Sequence, residues 1–346
     1  MSSRKTCHIL RQKPFPRTLS LVIPLYNEEE VFPLLRSEVT KFMDEFPARV
    51  EVVLVNDGSR DRTVELAALW AGSDSRIVVL QLARNFGHQL AATAGLDNAS
   101  GDAVVLMDAD LQDPLSVIHR MVDCYCQGYH VVYGQRERRQ GESVFKTATA
   151  WLFYRGMRRF VSRDLPVDTG DFRLLSRESL HALNEMRETH RFLRGMASWI
   201  GFAECAVRYE RAPRAAGETK YPLSKMFKLA WTAATSFSTI PLRLSIYLAI
   251  VTGIFGLEEA VRALITRFLG TTVAGWTSLM IVTALVGSAI LFCLGILGQY
   301  VGMIFEQSKS RPLYLISERI GGQNAAVIPA GHGIERPGTG ARAASA

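Results

Sequence analysis

Cysteine is scarce in this chain: Cys7, Cys124, Cys126, Cys205 and Cys293 are the five among 346 residues. Their number is odd and their spacing irregular, so neither a disulfide framework nor a cysteine zinc site is expected, which fits a reducing compartment. The basic arm over residues 1–17 lacks an apolar core, so it does not read as a secretory signal peptide. No G-x-G-x-x-G follows the first apolar run, which disfavours a dinucleotide site of the Rossmann type. Internal repeats are missing as well. Charge is absent from one long stretch: no Asp, Glu, Lys or Arg lies between Arg267 and Glu306. Within it, Trp276 to Tyr300 is expected to be a transmembrane helix.

Hydrophobic residues make up 48%, an ordinary globular share, so the apolar excess is a matter of position, between Leu242 and Phe305. The net charge of +7 admits nucleic acid, anionic lipid headgroups or phosphorylated substrates as partners. Leu19 to Ile23, ended by Pro24, reads as a buried strand, and Val50 to Val55, Ile77 to Leu82 and Ala103 to Met107 read likewise. Helical spacing occupies Val31 to Phe46, Thr63 to Ala71 (with Asp61 as its cap), His88 to Ala99 and Leu115 to Gln127. Val131 to Tyr133 is short and strand-like, and Leu165 to Leu175 is extended. This alternation implies an α/β fold with a mostly parallel sheet covered on both faces. Each apolar strand ends in a polar cluster: Tyr26-Asn27-Glu28, Asn56-Asp57-Gly58, Arg84-Asn85 and Asp108-Ala109-Asp110. Ligands bind at the carboxyl ends of such strands, so the clusters are expected to meet in one crevice.

Gly141 to Arg163 reads as a basic helix. Pro222 to Thr239 carries an apolar stripe with Lys225 and Lys228 off it, the pattern of an interfacial helix or of a soluble one packed on a core. Leu244 to Leu257 has 14 uncharged residues, roughly 21 Å of helix against a ~30 Å hydrocarbon core. It spans only if the helix continues through Glu258, Glu259 and Arg262, with Glu258 and Arg262 as i,i+4 partners; the alternative is a re-entrant segment. The expected organisation is therefore a basic arm (1–17), a catalytic domain (18–220), an interfacial amphipathic helix (221–241), two transmembrane helices (242–305) and a largely disordered cytoplasmic tail (306–346).

Two carboxylates on a strand-end turn, Asp108 and Asp110, can hold a divalent cation against a diphosphate. A turn followed by a helix cap would explain the same pair. Asp57 can accept hydrogen bonds from a base or ribose, with Gly58 permitting close approach; an ordinary turn is the alternative. His88 reads as a helix-start residue.

In order along the chain, Ile23-Pro-Leu-Tyr-Asn-Glu28, Asn56-Asp-Gly-Ser59, Arg84-Asn-Phe-Gly-His88, Asp108-Ala-Asp-Leu-Gln-Asp-Pro114, Asp168-Thr-Gly-Asp-Phe-Arg173 and Gly217-Glu-Thr-Lys-Tyr221 resemble the motifs of family 2 glycosyltransferases. The subgroup they resemble is the polyprenyl-phosphate glycosyltransferases, with dolichyl-phosphate mannose synthases and bactoprenol glucosyltransferases among them. The resemblance covers about Leu19 to Pro312, and the Asp168–Arg173 tandem and C-terminal spans lean towards the bactoprenol enzymes. It implies a GT-A fold with Pro24, Asn27, Glu28, Asp57, Arg84 and Asp108 at the nucleotide-sugar. Asp108, Asp110 and Gln112 would hold Mg2+ or Mn2+, and Arg214 and Lys220 would grip phosphate, arginine by its bidentate fork and lysine as a point charge. Asp110 would be catalytic, and Asp168 and Asp171 would orient the sugar or acceptor, with a structural role at a turn as the alternative for Asp168. Dolichyl-phosphate mannose synthases often carry an uncharged residue where this chain has Asp171, which argues against mannose.

The resemblance further implies inverting transfer of one sugar, with UDP-glucose the expected donor, to a polyprenyl phosphate such as undecaprenyl phosphate. Mannose, N-acetylhexosamine or aminopentose donors are the alternatives. The site would face the cytoplasm on an inner-membrane, multi-pass protein whose partners are the nucleotide-sugar, the lipid acceptor, the bilayer and a second copy in a homo-oligomer. Three rivals are weaker. A processive polysaccharide synthase would carry Gln-x-x-Arg-Trp, whereas Arg194 and Trp199 are five apart with no matching Gln. A non-catalytic scaffold would not need Asp108, Asp110, Gln112, Arg214 and Lys220 together. A nucleic-acid binder rests on net charge alone.

Overall fold

The computed structural model describes residues 10–136, 169–210, 240–269 and 276–322. The basic helix expected at 141–163, the stripe at 222–239, and Asp168, Arg214 and Lys220 lie outside them. Eight described strands form one sheet: β1 (Thr18–Leu25), β2 (Arg49–Asn56), β3 (Ile77–Leu82), β4 (Ala103–Leu106), β5 (Val131–Arg136), β6 (Thr169–Ser176), β7 (Glu204–Tyr209) and β8 (Ile316–Gly321), in the order β7-β5-β6-β4-β1-β2-β3-β8. The described helices are α1 (Phe32–Glu45), α2 (Thr63–Ser73), α3 (His88–Asn98), α4 (Val117–Cys126), α5 (Arg177–Glu185), α6 (Leu193–Trp199), α7 (Ile240–Phe268) and α8 (Trp276–Ser308).

The central strands are continuous runs of Val, Leu and Ile because both faces are covered. On one face, α1 buries Phe32, Leu35, Val39, Phe42 and Met43 at three- and four-residue spacing, beside Trp70 of α2 and Met121 of α4. On the other, the alanines of α3 let it lie close to β1 and β2, together with Leu180, Leu183 and Met196 of α5 and α6. At Gly95 a Cβ would collide with the Val22 side chain, so only glycine permits this approach.

The sheet is mostly parallel, as expected, but not purely so: four of its seven strand pairings are parallel. β4, β1, β2 and β3 run parallel, whereas β6 is antiparallel to both β4 and β5, and β8 is antiparallel to β3. Nor does Pro24 end the first strand: β1 continues to Leu25, and Pro24 is in register with Val55. β4 pairs with β1 only as far as Val22 opposite Leu106, so at Pro24 the strand keeps one ladder partner, a setting proline tolerates. β1 lies between β4 and β2, so the strand order reverses there and a crevice opens at the carboxyl ends of β1 and β4.

The region beyond residue 306, expected as a tail, supplies β8 instead. It caps the open edge of β3, with Tyr314 and Ile316 packed on the core. Helices α7 and α8 pack against each other, and their large apolar side chains, Ile250, Ile254, Leu257, Leu291, Leu297 and Ile304 among them, are exposed. Among the described residues, one segment, Leu285–Ser308, is long and apolar enough to cross a membrane by composition alone. In α7, Arg262 pairs with Glu259 at 2.8 Å, an i,i+3 spacing. Cys124, Cys126, Cys205 and Cys293 are free thiols; Cys124 on α4 meets Cys205 on β7, Sγ to Sγ 3.2 Å.

Candidate active site

The polar clusters at the strand ends are joined by a chain of contacts. Asn27 sits just past β1 at φ 55°, a left-handed conformation that asparagine accepts. Its amide N–H donates to Ser59 Oγ (3.0 Å), and its Oδ1 accepts from the Arg60 N–H (2.9 Å). The Glu28 N–H donates to Thr63 Oγ1 (2.9 Å), and Asp61 accepts from the Thr63 N–H (3.1 Å) just ahead of α2, although the residue at the cap position is Arg62 and not Asp61 as expected. Thus the loops after β1 and β2 are bonded to each other.

Asp57 is tied to the loop after β3. It is buried, and its two oxygens accept the N–H groups of Phe86 (2.7 Å) and Gly87 (2.9 Å). Burial raises its pKa, and those two bonds with the charges of His88 and Arg84 oppose the rise. The close approach at Gly58 is likewise internal. Its φ is +67°, and a Cβ would stand 2.7 Å from Arg84 C and Asn85 N, so the glycine admits the loop after β3. Asp57 and Gly58 thereby shape the 84–87 loop, on which exposed Arg84 stacks over the Phe86 ring at 4.1 Å.

The Asp108–Asp113 turn follows β4. Leu111 adopts φ 54°, an uncommon conformation for a bulky side chain, and Asp110 Oδ1 accepts the Gln112 N–H at 3.1 Å. Gln112 and Asp113 are buried; Asp113 accepts a hydrogen bond from the Tyr209 hydroxyl and lies 3.8 Å from Arg136 Nη2. Burial pushes the Asp108 pKa up to about 6; neighbouring Asp171, Asp113 and Asp110 add to the rise, and His88 opposes it. Among the described residues no group of three or more His, Cys, Asp or Glu is set to bind a metal. The two carboxylates Asp108 and Asp110 are partly exposed at the crevice, and a divalent cation there would relieve both the burial and the neighbouring negative charge that raise Asp108.

A raised folded-state pKa means that ionised Asp108 destabilises the cation-free protein. This cost is absent below its ordinary value near 3.8 and fully present above about 6. Replacing Asp108 with asparagine is therefore expected to stabilise the cation-free protein at pH 7 by on the order of 1–2 kcal/mol, with little effect near pH 4. Thermal melts in EDTA at the two pH values check this; equal melting shifts would refute it.

Asp171 on β6 lies beside Asp108 because β6 neighbours β4. Three residues with no expected site role surround it. His88 Nε2 lies 3.2 Å from Asp171 Oδ2 and 3.5 Å from Asp108 Oδ1. Arg194 Nε donates to Asp171 Oδ1 at 2.8 Å and Nη2 to Oδ2 at 3.3 Å, and Gln89 Nε2 donates to Oδ2 at 3.1 Å. Burial alone would raise the Asp171 pKa, but the His88 hydrogen bond and the charges of Arg194 and Arg173 outweigh it and hold this carboxyl well below the usual range. The sequence signal for His88 and Gln89 was their place directly after a strand-end loop; Arg194, in a short helix far along the chain, carried none.

Residues 20–183 match the sequence profile of the family described as Glycosyl transferase family 2. The chain is 42% identical over 306 residues to the "Uncharacterized glycosyltransferase YkcC" of Bacillus subtilis, covering 88% of this chain and 95% of that protein. It is 39% identical over 299 residues to the "Bactoprenol glucosyl transferase" of Shigella phage SfV, covering 86% and 97%. Among solved structures it is similar, at 20% identity and a TM-score of 0.44, to glucosyl-3-phosphoglycerate synthase from Mycobacterium tuberculosis over 63% of this chain and 78% of that one, a likeness too distant to bear on chemistry. With relatives this similar along nearly their whole length, the chain belongs to the family 2 glycosyltransferases.

Proposed function

We propose that this glycosyltransferase moves one sugar from a nucleotide-sugar, with UDP-glucose as the expected donor, onto a polyprenyl phosphate at the cytoplasmic face of the membrane. The observation that carries the reading is the acidic turn at Asp108–Asp110, set where the strand order reverses in a sheet that is tied to two long apolar helices. The relatives named bactoprenol glucosyl transferase support both the lipid acceptor and glucose.

Asp108 and Asp110, with Gln112 beside them, would hold Mg2+ or Mn2+, which when bound neutralises charge on the leaving diphosphate. The protein's own residues position the reactants. The loops after β1 and β2 make one bonded platform for the nucleotide, and the 84–87 loop, shaped by Asp57, presents Arg84 to it. An acceptor phosphate is already an anion at neutral pH, so no strong general base is needed, and in-line attack inverts the anomeric carbon. Arg214 and Lys220 are proposed to bind phosphate, and Asp168 to orient the sugar.

Two crossings of the membrane fit the chain path. β7 precedes α7 and β8 follows α8, and both strands belong to the same sheet. A chain that leaves and rejoins one sheet crosses the bilayer an even number of times, so a crossing by α8 calls for one by α7. At 29 and 33 residues, the helices measure about 43 and 50 Å, enough for a ~30 Å core with the Glu259–Arg262 pair towards the far interface. Lys309, Arg311 and Arg319 follow α8 on the proposed cytoplasmic side.

The test incubates detergent-purified protein with undecaprenyl phosphate and a panel of nucleotide-sugars, then weighs the lipid product. A hexose adduct dependent on UDP-glucose is expected. Preference for a water-soluble acceptor lacking phosphate would overturn the lipid-carrier reading.

A further inference from the structure

Asp171 is poorly placed to meet a substrate. Its side chain is 5% exposed, and both oxygens are taken up by Arg194, His88 and Gln89. The groups above it face the crevice: the His88 side chain is 44% exposed and that of Arg194 35%. The support beneath is elaborate. Buried Arg173 donates to the Leu193 carbonyl (3.1 Å) and the Gly170 carbonyl (3.2 Å), and Gln89 Oε1 accepts the Leu193 N–H (2.9 Å). Both ends of that arrangement hold the residue just before Arg194. A side-on grip by a fixed carboxylate turns an otherwise flexible arginine into a rigid donor, which suits it to a phosphate oxyanion.

Position selects which phosphate. The nucleotide platform lies over β1 and β2, and the acidic turn follows β4. β6 and Arg194 lie on the other side of that turn, since the order runs β6-β4-β1-β2. A phosphate on that side belongs to the incoming acceptor, not to the nucleotide.

We infer that Arg194, assisted by His88 and held in place by Asp171, binds the phosphate of the acceptor, and that Asp171 is a positioning residue rather than a group that touches the reacting atoms. This rests on the lipid-phosphate reading proposed above. A bare carboxylate beside the acceptor would repel its phosphate; the arginine, the histidine and the glutamine amide cover it.

Steady-state kinetics with undecaprenyl phosphate and UDP-glucose, with each substrate varied in turn, test the inference. For Arg194→Gln and Asp171→Asn, the KM for the acceptor is expected to rise about ten- to a hundredfold, the loss of one charged hydrogen-bonding group. The KM for the donor should stay within about threefold, and Arg194→Lys should recover part of the loss by restoring charge without the fork. Binding of UDP by each variant, measured by calorimetry, separates a misfolded protein from a specific defect. A fall in kcat for Asp171→Asn with the acceptor KM unchanged, a rise confined to the donor KM, or loss of UDP binding would each overturn the inference while leaving the lipid-carrier reading intact. Wild-type protein that ignores lipid phosphate would overturn both.

Discussion

Asp110→Asn is expected to lower the rate of sugar transfer by roughly a hundred- to a thousandfold, the scale of losing one electrostatic contact to charge that develops in the transition state. Folding should be preserved, because the asparagine Oδ1 can still accept the Gln112 N–H that closes the turn and holds Leu111 at its positive φ. The variant keeps the volume of aspartate and loses only the charge that a cation would bind. Transfer assays across a Mg2+ and Mn2+ titration, with a thermal melt beside them, check both halves. Near-normal activity in the variant, or wild-type activity indifferent to EDTA, would remove Asp110 from the metal site.

Ending the chain after Ser310 is expected to cost about 3–5 kcal/mol, from removing the partly buried Tyr314, Ile316 and Ile320 and baring the edge of β3. Further bonds go with the strand. The Tyr314 hydroxyl donates to Asp97 Oδ2 (2.7 Å), which also receives Arg187 (2.7 Å), and the Ala83 N–H donates to the Leu315 carbonyl (2.9 Å). That last bond is one residue from Arg84, so the loss should reach the 84–87 loop as well as the stability of the sheet. Size-exclusion chromatography and thermal melting of the shortened and full chains are the measurements. A shortened chain that stays monodisperse and melts within about 1 °C of the full one would mean that β8 contributes little.

The elements that depend on local pattern were legible in the residues. Buried strands announce themselves by runs of Val, Leu and Ile, and the helices on them by three- and four-residue apolar spacing; Asp108 and Asp110 stand out because they interrupt such a run at its end. The same reading weighed a ligand contact against an ordinary turn for Asp57 and Gly58, and did not foresee that their bonds and close approach also hold the 84–87 loop. A carboxylate that accepts two backbone N–H groups and a carboxylate that accepts a ribose look identical in sequence. His88, which reads as a helix-start residue, and Arg194 carry no expected site role for a related reason: 106 positions separate them, by subtraction of their numbers, and nothing in the spacing of either predicts that they share one carboxylate.

By itself, the amino-acid order determined the α/β alternation, the acidic turn at a strand end, the long uncharged helix and the family resemblance, because each follows from side-chain chemistry within a few neighbouring residues. Tertiary structure alone decided three further matters. β6 enters antiparallel between β4 and β5, which brings Asp171 beside Asp108. The chain beyond α8 returns to pair with β3, which ties the apolar helices to the catalytic sheet. Asp171 receives its histidine and glutamine from the start of α3 and its arginine from α6, two places far apart along the chain. Strand order and direction are set by which distant surfaces bury each other best, and that is a property of the assembled sheet, absent from the pattern of any one strand.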